Sequence, residues 1–293
     1  MKKGIIFRGT ATALITPFRG GEIDYGALFK IIDMQLDAKI EALVIGGTTG
    51  EAATLDEGER YRLYSKCAEY ITGRTKLIFG TGTNDTKCAV RHTRRAAEIG
   101  CDGVLVVTPY YNKGTEEGIV RHYLEIAEAA EVPLMLYNVP SRTGVNLSVS
   151  QLEKLSRHPM ICAIKEASDS LDRLVDISAF GDRLRLYSGN DSQTYSVLAL
   201  GGLGSVSVIS NLLPRETKAV CDLYFDGQIE KSRLMAGKLL PIIRAIFAET
   251  NPSPIKYAMS RMGLCSAEVR LPLTEPGEKT RALIDRALME YGV

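Results

Sequence analysis

Histidine is scarce in this chain, cysteine pairs of the C-x-x-C type are missing, and neither sign of charge predominates. Three histidines, His92, His122 and His158, stand in 293 residues. The first two fall in helical patterns and the third in a polar turn, so all three are expected at the surface, and no metal site is expected. The cysteines, Cys67, Cys88, Cys101, Cys162, Cys221 and Cys265, are widely spaced, and Cys162 lies inside an apolar run. That usage reads as reduced, buried thiols in a cytoplasmic protein, not as a disulfide framework. With 36 Lys and Arg against 35 Asp and Glu, the formal net charge is +1. No broad basic field is therefore expected, and neither a nucleic acid nor a membrane surface is an expected partner. No stretch approaches membrane-spanning length. The apolar run near Met1-Lys2-Lys3 is too short for a signal peptide. Internal repeats at a 20–50 residue period, low-complexity tracts and long linkers are also missing.

What is present is a repeated alternation of short apolar runs and amphipathic segments. Strands are expected over 10–18, 42–45, 76–80, 104–107, 134–137, 161–165, 184–188 and 204–210. Helical patterns follow at 24–38, 55–71, 85–99, 115–130, 150–157 and 192–200. Asp24 is placed to cap the first. Eight strand–helix units in about 250 residues are the size of an α/β (β/α)8 barrel, a TIM barrel. A doubly wound open sheet is the competing architecture. It would want a phosphate-binding fingerprint after the first strand, and Thr16-Pro17-Phe18-Arg19-Gly20 is not one. Three further helical patterns, 228–248, 252–262 and 276–291, divide the chain into a barrel, residues 1–227, and a C-terminal helical unit, residues 228–293.

The stretch with the most chemistry is Ile161-Cys162-Ala163-Ile164-Lys165-Glu166-Ala167-Ser168. Strict alternation puts Ile161, Ala163 and Lys165 on one side, with Cys162, Ile164 and Glu166 on the other. Glu166 is then badly placed to neutralise Lys165. An ammonium at the end of an apolar strand is costly to desolvate. Either another carboxylate pairs with it, or the amine serves as a nucleophile that forms a Schiff base with a carbonyl.

Barrel active sites lie at the C-terminal strand ends. Those ends carry Gly46-Gly47-Thr48-Thr49-Gly50, Tyr110 and Tyr111, Tyr137, Arg142, Lys165, Gly189, and the run from Val206 to Ser210. Each has an ordinary alternative. Thr48 and Thr49 could cap a helix, the tyrosines could be packing residues, and Arg142 could be a loop charge. Taken together they suit a reaction. Backbone N–H groups and hydroxyls of the threonine loop fit a small carboxylate such as that of a 2-oxo acid. Tyrosine relays protons where histidine is lacking, and arginine grips a second carboxylate. The set describes an aldolase that joins an enamine to an aldehyde bearing an acid group.

The motifs Gly46-Gly47-Thr48-Thr49-Gly50-Glu51, Tyr137-Asn138-Val139-Pro140-Ser141-Arg142-Thr143-Gly144 and Ile164-Lys165-Glu166-Ala167-Ser168 resemble those of the dihydrodipicolinate synthase / N-acetylneuraminate lyase family. The resemblance runs from Gly9-Thr10 to Asn251-Pro252-Ser253-Pro254-Ile255-Lys256. It implies a cytoplasmic lyase that condenses pyruvate with aspartate 4-semialdehyde on the route to lysine and diaminopimelate. Lys165 would form the Schiff base with pyruvate, and no other cofactor is implied. Tyr137 would be the central proton donor and acceptor, linked through Thr49 to Tyr111 of a neighbouring subunit. Thr48 and Thr49 would bind the pyruvate carboxylate and Arg142 the semialdehyde carboxylate. Gly189 and Val206 would supply backbone contacts, with Val206 standing where isoleucine is frequent. A homo-oligomer, a dimer of dimers, is implied as well. Where feedback-inhibited members hold lysine near Asn84 and Tyr110, this chain has Cys88 in place of an acidic residue, and Glu57 and Arg60 on the neighbouring helix, with Glu57 and Asp85 as the candidate carboxylates that could substitute. The nearest rival activity is a sibling lyase or aldolase acting on a sialic acid or a 2-oxo-3-deoxy sugar acid. A metabolite-binding barrel without catalysis is the rival from another class, and the lysine, tyrosine and threonine set argues against it.

Overall fold

The computed structural model describes residues 3–292. Met1 and Lys2, where the reading of the N-terminal apolar run begins, and Val293 lie outside the described residues. Among the described residues eight parallel strands close into a barrel: β1 Gly9–Ala13, β2 Ala42–Ile45, β3 Lys76–Gly80, β4 Gly103–Val107, β5 Leu134–Asn138, β6 Ile161–Glu166, β7 Arg185–Ser188 and β8 Gly204–Ser207. Each strand pairs with its neighbours in chain order, and β1 pairs with β8 to close the ring. The helices are α1 Tyr25–Asp37, α2 Glu57–Ile71, α3 Thr86–Ile99, α4 Glu116–Ala129, α5 Val149–Leu155, α6 Leu171–Ser178, α7 Thr194–Ala199 and α8 Pro214–Phe225. Periodicity does not single out α6 and α8 by residue, yet they complete the outer ring. After α8 come α9 Ile229–Ile246, α10 Ser253–Arg261 and α11 Glu278–Tyr291. The architecture is the expected TIM barrel, not an open sheet. Among the described residues no helix is long and apolar enough to cross a membrane.

Both faces of the sheet are covered, which is why its strands read as apolar runs. Ala11, Ala13, Val44, Ile78, Leu105, Met135 and Val206 fill the interior. Leu43, Ile45, Phe79, Val106, Leu136 and Ile164 face the helices. Strict alternation fails in β6. The β5–β6 register steps from Leu134 opposite Ile161 to Met135 opposite Ala163, leaving Cys162 unmatched. Ile161 therefore joins the outer core, while Cys162 and Ala163 both join the inner one. The irregularity lies before Lys165, which keeps its inward direction beside Tyr137 and Tyr187.

Element ends depart from the sequence reading for identifiable reasons. The first strand stops at Ala13, and Phe18–Arg19 pairs antiparallel with Glu22–Ile23 around Gly20 and Gly21. Pro17 cannot donate to a ladder. Helix α2 starts at Glu57, not at 55, because Asp56 and Glu59 form a capping box. Such a cap is worth about 1 kcal/mol. Strand β8 ends at Ser207 because the next two N–H groups leave the ladder: Val208 N and Ile209 N donate to Asp191 Oδ2 at 2.9 and 3.1 Å.

The expectation that the histidines lie at the surface is wrong for two of them. His92 and His122 are 6% and 5% exposed. Helices α2, α3 and α4 pack side by side, so helix positions that look lateral in sequence become covered. His92 Nδ1 lies 2.8 Å from the Tyr61 hydroxyl, and His122 Nδ1 lies 2.9 Å from Thr86 Oγ1. Burial pushes both imidazoles down to about 4.

These two groups set an acid limit on stability. The unfolded chain protonates both histidines near the ordinary value of about 6.5, whereas the folded chain keeps them neutral until about 4. Their contribution is fully present above the unfolded value and is lost as pH falls from about 6.5 towards 4. Thermal unfolding should be flat from pH 8 to 7 and then decline towards pH 5. A His92→Gln/His122→Gln variant should show a shallower decline, and an unchanged slope would refute the assignment.

Candidate active site

The chemistry-bearing side chains collect at the C-terminal mouth of the barrel. Lys165 ends β6 with its side chain inward, and the residue is 5% exposed. Its Nζ stands 4.2 Å from the centroid of the Tyr137 ring. Among the described residues no carboxylate forms an ion pair with it. Glu166 faces the other way and is fully engaged. Its carboxylate takes Arg173 Nε at 2.9 Å, Asn138 Nδ2 at 2.8 and 3.0 Å, and Ser168 N at 3.0 Å. The partner that the ordinary reading of a buried lysine calls for is therefore not at hand. The nearby Asp191 is buried at the end of β7 and tied to the β8 end. Burial raises its carboxyl above the usual range, against the lowering effect of its own hydrogen bonds and of the Lys165 charge.

A cavity of about 430 Å³ opens beside this pair, lined in part by Thr48, Tyr110, Tyr137, Arg142 and Asn251. It has the size of a small-molecule site. The Gly46–Gly50 loop follows β2 and lies directly against β3, where a Cβ on Gly80 would meet the Gly46 carbonyl oxygen at 2.3 Å. Only glycine at position 80 permits that approach. The loop leads into a single 3-10 turn, Ala52–Thr54, whose N-cap is Glu51 without a side-chain cap bond. Neither Thr48 nor Thr49 caps it, so the capping alternative falls away. Thr49 is buried and its Oγ1 accepts from Asn251 Nδ2 at 2.9 Å.

Arg142 lies in a one-turn helix, Pro140–Thr143, which the sequence presents only as a loop. The guanidinium reaches the cavity, and its Nη2 donates to the Asn251 carbonyl at 2.9 Å. Tyr110 lines the cavity, but Tyr111 does not. Tyr111 is 89% exposed and holds a left-handed backbone at φ 73°. Gly189 and Val206 lie outside the lining: Val206 is packed in the barrel interior, and Gly189 N donates to Glu166 O at 2.6 Å. The structure thus gathers Thr48, Tyr137 and Arg142 around one space, sets Lys165 against Tyr137 and Thr49 against Asn251 of its lining, and leaves Tyr111 exposed to solvent.

Three residues of this region gain a place that sequence reasoning did not supply. Asn251 touches Thr49 with its side chain and Arg142 with its backbone. Glu51 and Lys256 form an ion pair with both side chains fully buried. Burial lowers the Lys256 amine, and the Glu51 carboxylate opposes that shift. The available signal was the Asn251–Lys256 run itself, an asparagine and a lysine flanked by prolines well beyond the barrel. Near Cys88 the two candidate carboxylates are already occupied. Glu57 accepts from Arg91 and Tyr61, and Asp85 caps α3 through Cys88 N.

Comparison with known proteins places these features in a family. Residues 6–290 match the model of the dihydrodipicolinate synthetase family. The chain is 43% identical over 289 residues to a 4-hydroxy-tetrahydrodipicolinate synthase of Caldicellulosiruptor saccharolyticus, covering 98% of each chain. It is 46% identical over 276 residues to one of Leptospira biflexa, covering 94% of each. Among solved structures, dihydrodipicolinate synthase from Thermotoga maritima superposes with a TM-score of 0.96 at 40% identity, covering 98% of this chain and 99% of that one. A monomeric dihydrodipicolinate synthase variant superposes equally well, at 39% identity over 98% and 97% of the two chains.

Gly189 offers a check on how tightly the mouth is built. A Cβ there would stand 2.7 Å from Ala167 Cβ and 2.9 Å from the Glu166 carbonyl oxygen. Gly189→Ala should therefore force β6 and β7 apart and cost roughly 1–3 kcal/mol, read as a lowered Tm. A variant as stable as the parent would show that the two strand ends are not in contact there.

Proposed function

The chain belongs to the dihydrodipicolinate synthetase family, and from that premise we propose that Lys165 carries pyruvate as a Schiff base while Arg142 receives the second substrate. The chain is a class I aldolase-type lyase. It condenses pyruvate with L-aspartate 4-semialdehyde to 4-hydroxy-tetrahydrodipicolinate in lysine and diaminopimelate biosynthesis. The observation that carries the residue assignment is an inward lysine without a carboxylate partner, poised over the Tyr137 ring beside the cavity.

The steps follow from that placement. Neutral Nζ attacks the ketone carbon of pyruvate, and loss of water leaves an iminium. The iminium acidifies the adjacent methyl, which gives up a proton to become an enamine. The enamine carbon attacks the aldehyde carbon, and the new alkoxide takes a proton. The amine of the semialdehyde then attacks the iminium carbon, closes the ring and releases Lys165. Each of these steps moves a proton, and we assign its transfer to the hydroxyl of Tyr137, whose ring lies beside Nζ. Thr48 and Thr49 hold the pyruvate carboxylate. Bound pyruvate is its own electron sink, so no further cofactor is required. Gly189 and Val206 shape the wall behind Lys165 through backbone and packing.

Arg142 at the cavity supports an aldehyde with an acid group over a sugar-acid substrate. The barrel, residues 1–227, carries the reacting groups, and the helical unit, residues 228–293, begins at the break between α8 and α9. Six free thiols, four of them buried, fit a reduced cytoplasmic setting. Tyr111 completes the proton relay in a partner subunit, which requires at least a dimer, and a dimer of dimers is the form the family resemblance implies. Its 89% exposure and outward backbone support this.

Incubation with pyruvate and borohydride should add one modification per chain on a peptide containing Lys165, and Lys165→Ala should abolish it. Arg142→Ala should still be trapped but lose use of the semialdehyde, by roughly 2–5 kcal/mol in kcat/KM. Full labelling of Lys165→Ala, or an unchanged kcat/KM in Arg142→Ala, would sink the respective role.

Mixing subunits tests Tyr111. Tyr111→Phe and Lys165→Ala chains should each be poorly active. A mixed dimer holds one site with intact Lys165 and a Tyr111 donated by the other chain, so activity should rise on exchange. Activity that stays at the mean of the parents, with exchange confirmed by mass, would place Tyr111 within its own subunit's relay.

A further inference from the structure

The threonine loop that is to receive a carboxylate is followed at once by a buried carboxylate of the protein's own. Glu51 comes directly after Gly50, its side chain is fully buried, and its backbone is left-handed at φ 54°. Its N–H donates to the Thr48 carbonyl at 3.0 Å, so the acid and the loop are one rigid turn. A non-glycine residue in that conformation needs its surroundings to hold it. The holding groups come from far along the chain. Lys256 on α10 reaches Glu51 Oε1, and Arg270 N donates to Oε2 at 2.9 Å. Lys256 is itself held, donating to the Glu268 carbonyl at 2.9 Å and lying 4.1 Å from the centroid of the Phe18 ring. Five residues before Lys256, Asn251 bonds Thr49.

We infer that Lys256 is a positioning residue for substrate binding: by pairing with Glu51 it neutralises the charge beside the Thr48–Thr49 loop so that the loop accepts the pyruvate carboxylate. The inference rests on the assignment of that loop to pyruvate. The physics is one of sign. Backbone N–H groups and threonine hydroxyls attract an anion, but an unneutralised carboxylate beside them in a low-dielectric setting repels it. Lys256 cancels that charge from inside the protein, where water cannot. The C-terminal helices thereby control the affinity of a site built on the barrel.

The test is charge removal and restoration, read as the pyruvate concentration for half-maximal borohydride trapping at Lys165 and as KM for pyruvate. Lys256→Met leaves Glu51 as an unpaired anion. Both readouts should rise by about tenfold or more at pH 8. Glu51→Gln/Lys256→Met removes both charges and should recover most of the affinity. Glu51→Gln alone should bind pyruvate no more weakly than the parent, and it serves as the test if Lys256→Met fails to fold. A packing role predicts a different pattern: a lowered Tm in Lys256→Met, with pyruvate affinity unchanged or no better in the double variant. Either of those results, or weakened binding in Glu51→Gln, overturns the inference. Absence of trapping in the parent protein would instead overturn the assignment of Lys165 and leave the charge argument without its site.

Discussion

An amine inside an apolar barrel is expensive, and the way this molecule treats its buried cations explains most of what surrounds the site. Two of them are matched. Arg173 meets Glu166 and Lys256 meets Glu51. Removing one partner of such a pair typically costs 3–5 kcal/mol, because the remaining charge stays buried and alone. Lys165 is the exception among them. It has the Tyr137 ring beneath it and no ion-pair partner among the described residues. A cation–π contact is worth at most a few kcal/mol, less than a desolvated ammonium loses.

The adjacent Glu166 shows how the barrel keeps a neighbouring carboxylate away from that amine. It is one residue from Lys165, yet the pleat turns it outward into Asn138, Arg173 and the Ser168 N–H. A carboxylate fully supplied with donors has no capacity left for the lysine. The same economy recurs at the threonine loop, where Glu51 is saturated by Lys256 and Arg270. At both places a buried negative charge is answered by the protein's own donors. Asn251 adds a mechanical link, since one residue touches both Thr49 and Arg142.

Much of this was legible in the chain because barrels bury both faces of every strand, and short apolar runs stand out between amphipathic helices. Lys165 could be picked out because a single charge closing such a run is conspicuous. Strict alternation then misplaced Ile161 and Cys162, since a register step between β5 and β6 depends on the partner strand and leaves no mark in the strand itself. His92 and His122 were misjudged for a related reason. Helical periodicity gives one buried face, but a helix flanked by two neighbours is also covered on its sides.

The sequence by itself determined the strand and helix alternation, the mouth residues and the family, because these depend on local pattern and on motifs contiguous along the chain. Only the tertiary structure decided which groups those residues meet. The pairing of Glu51 with Lys256 and the reach of Asn251 to Thr49 join positions about two hundred residues apart. Nothing in local propensity encodes such contacts. They exist because closing the barrel brings the loop after β2 under the helices that follow α8, and a buried charge there is tolerated only where an opposite one arrives to meet it.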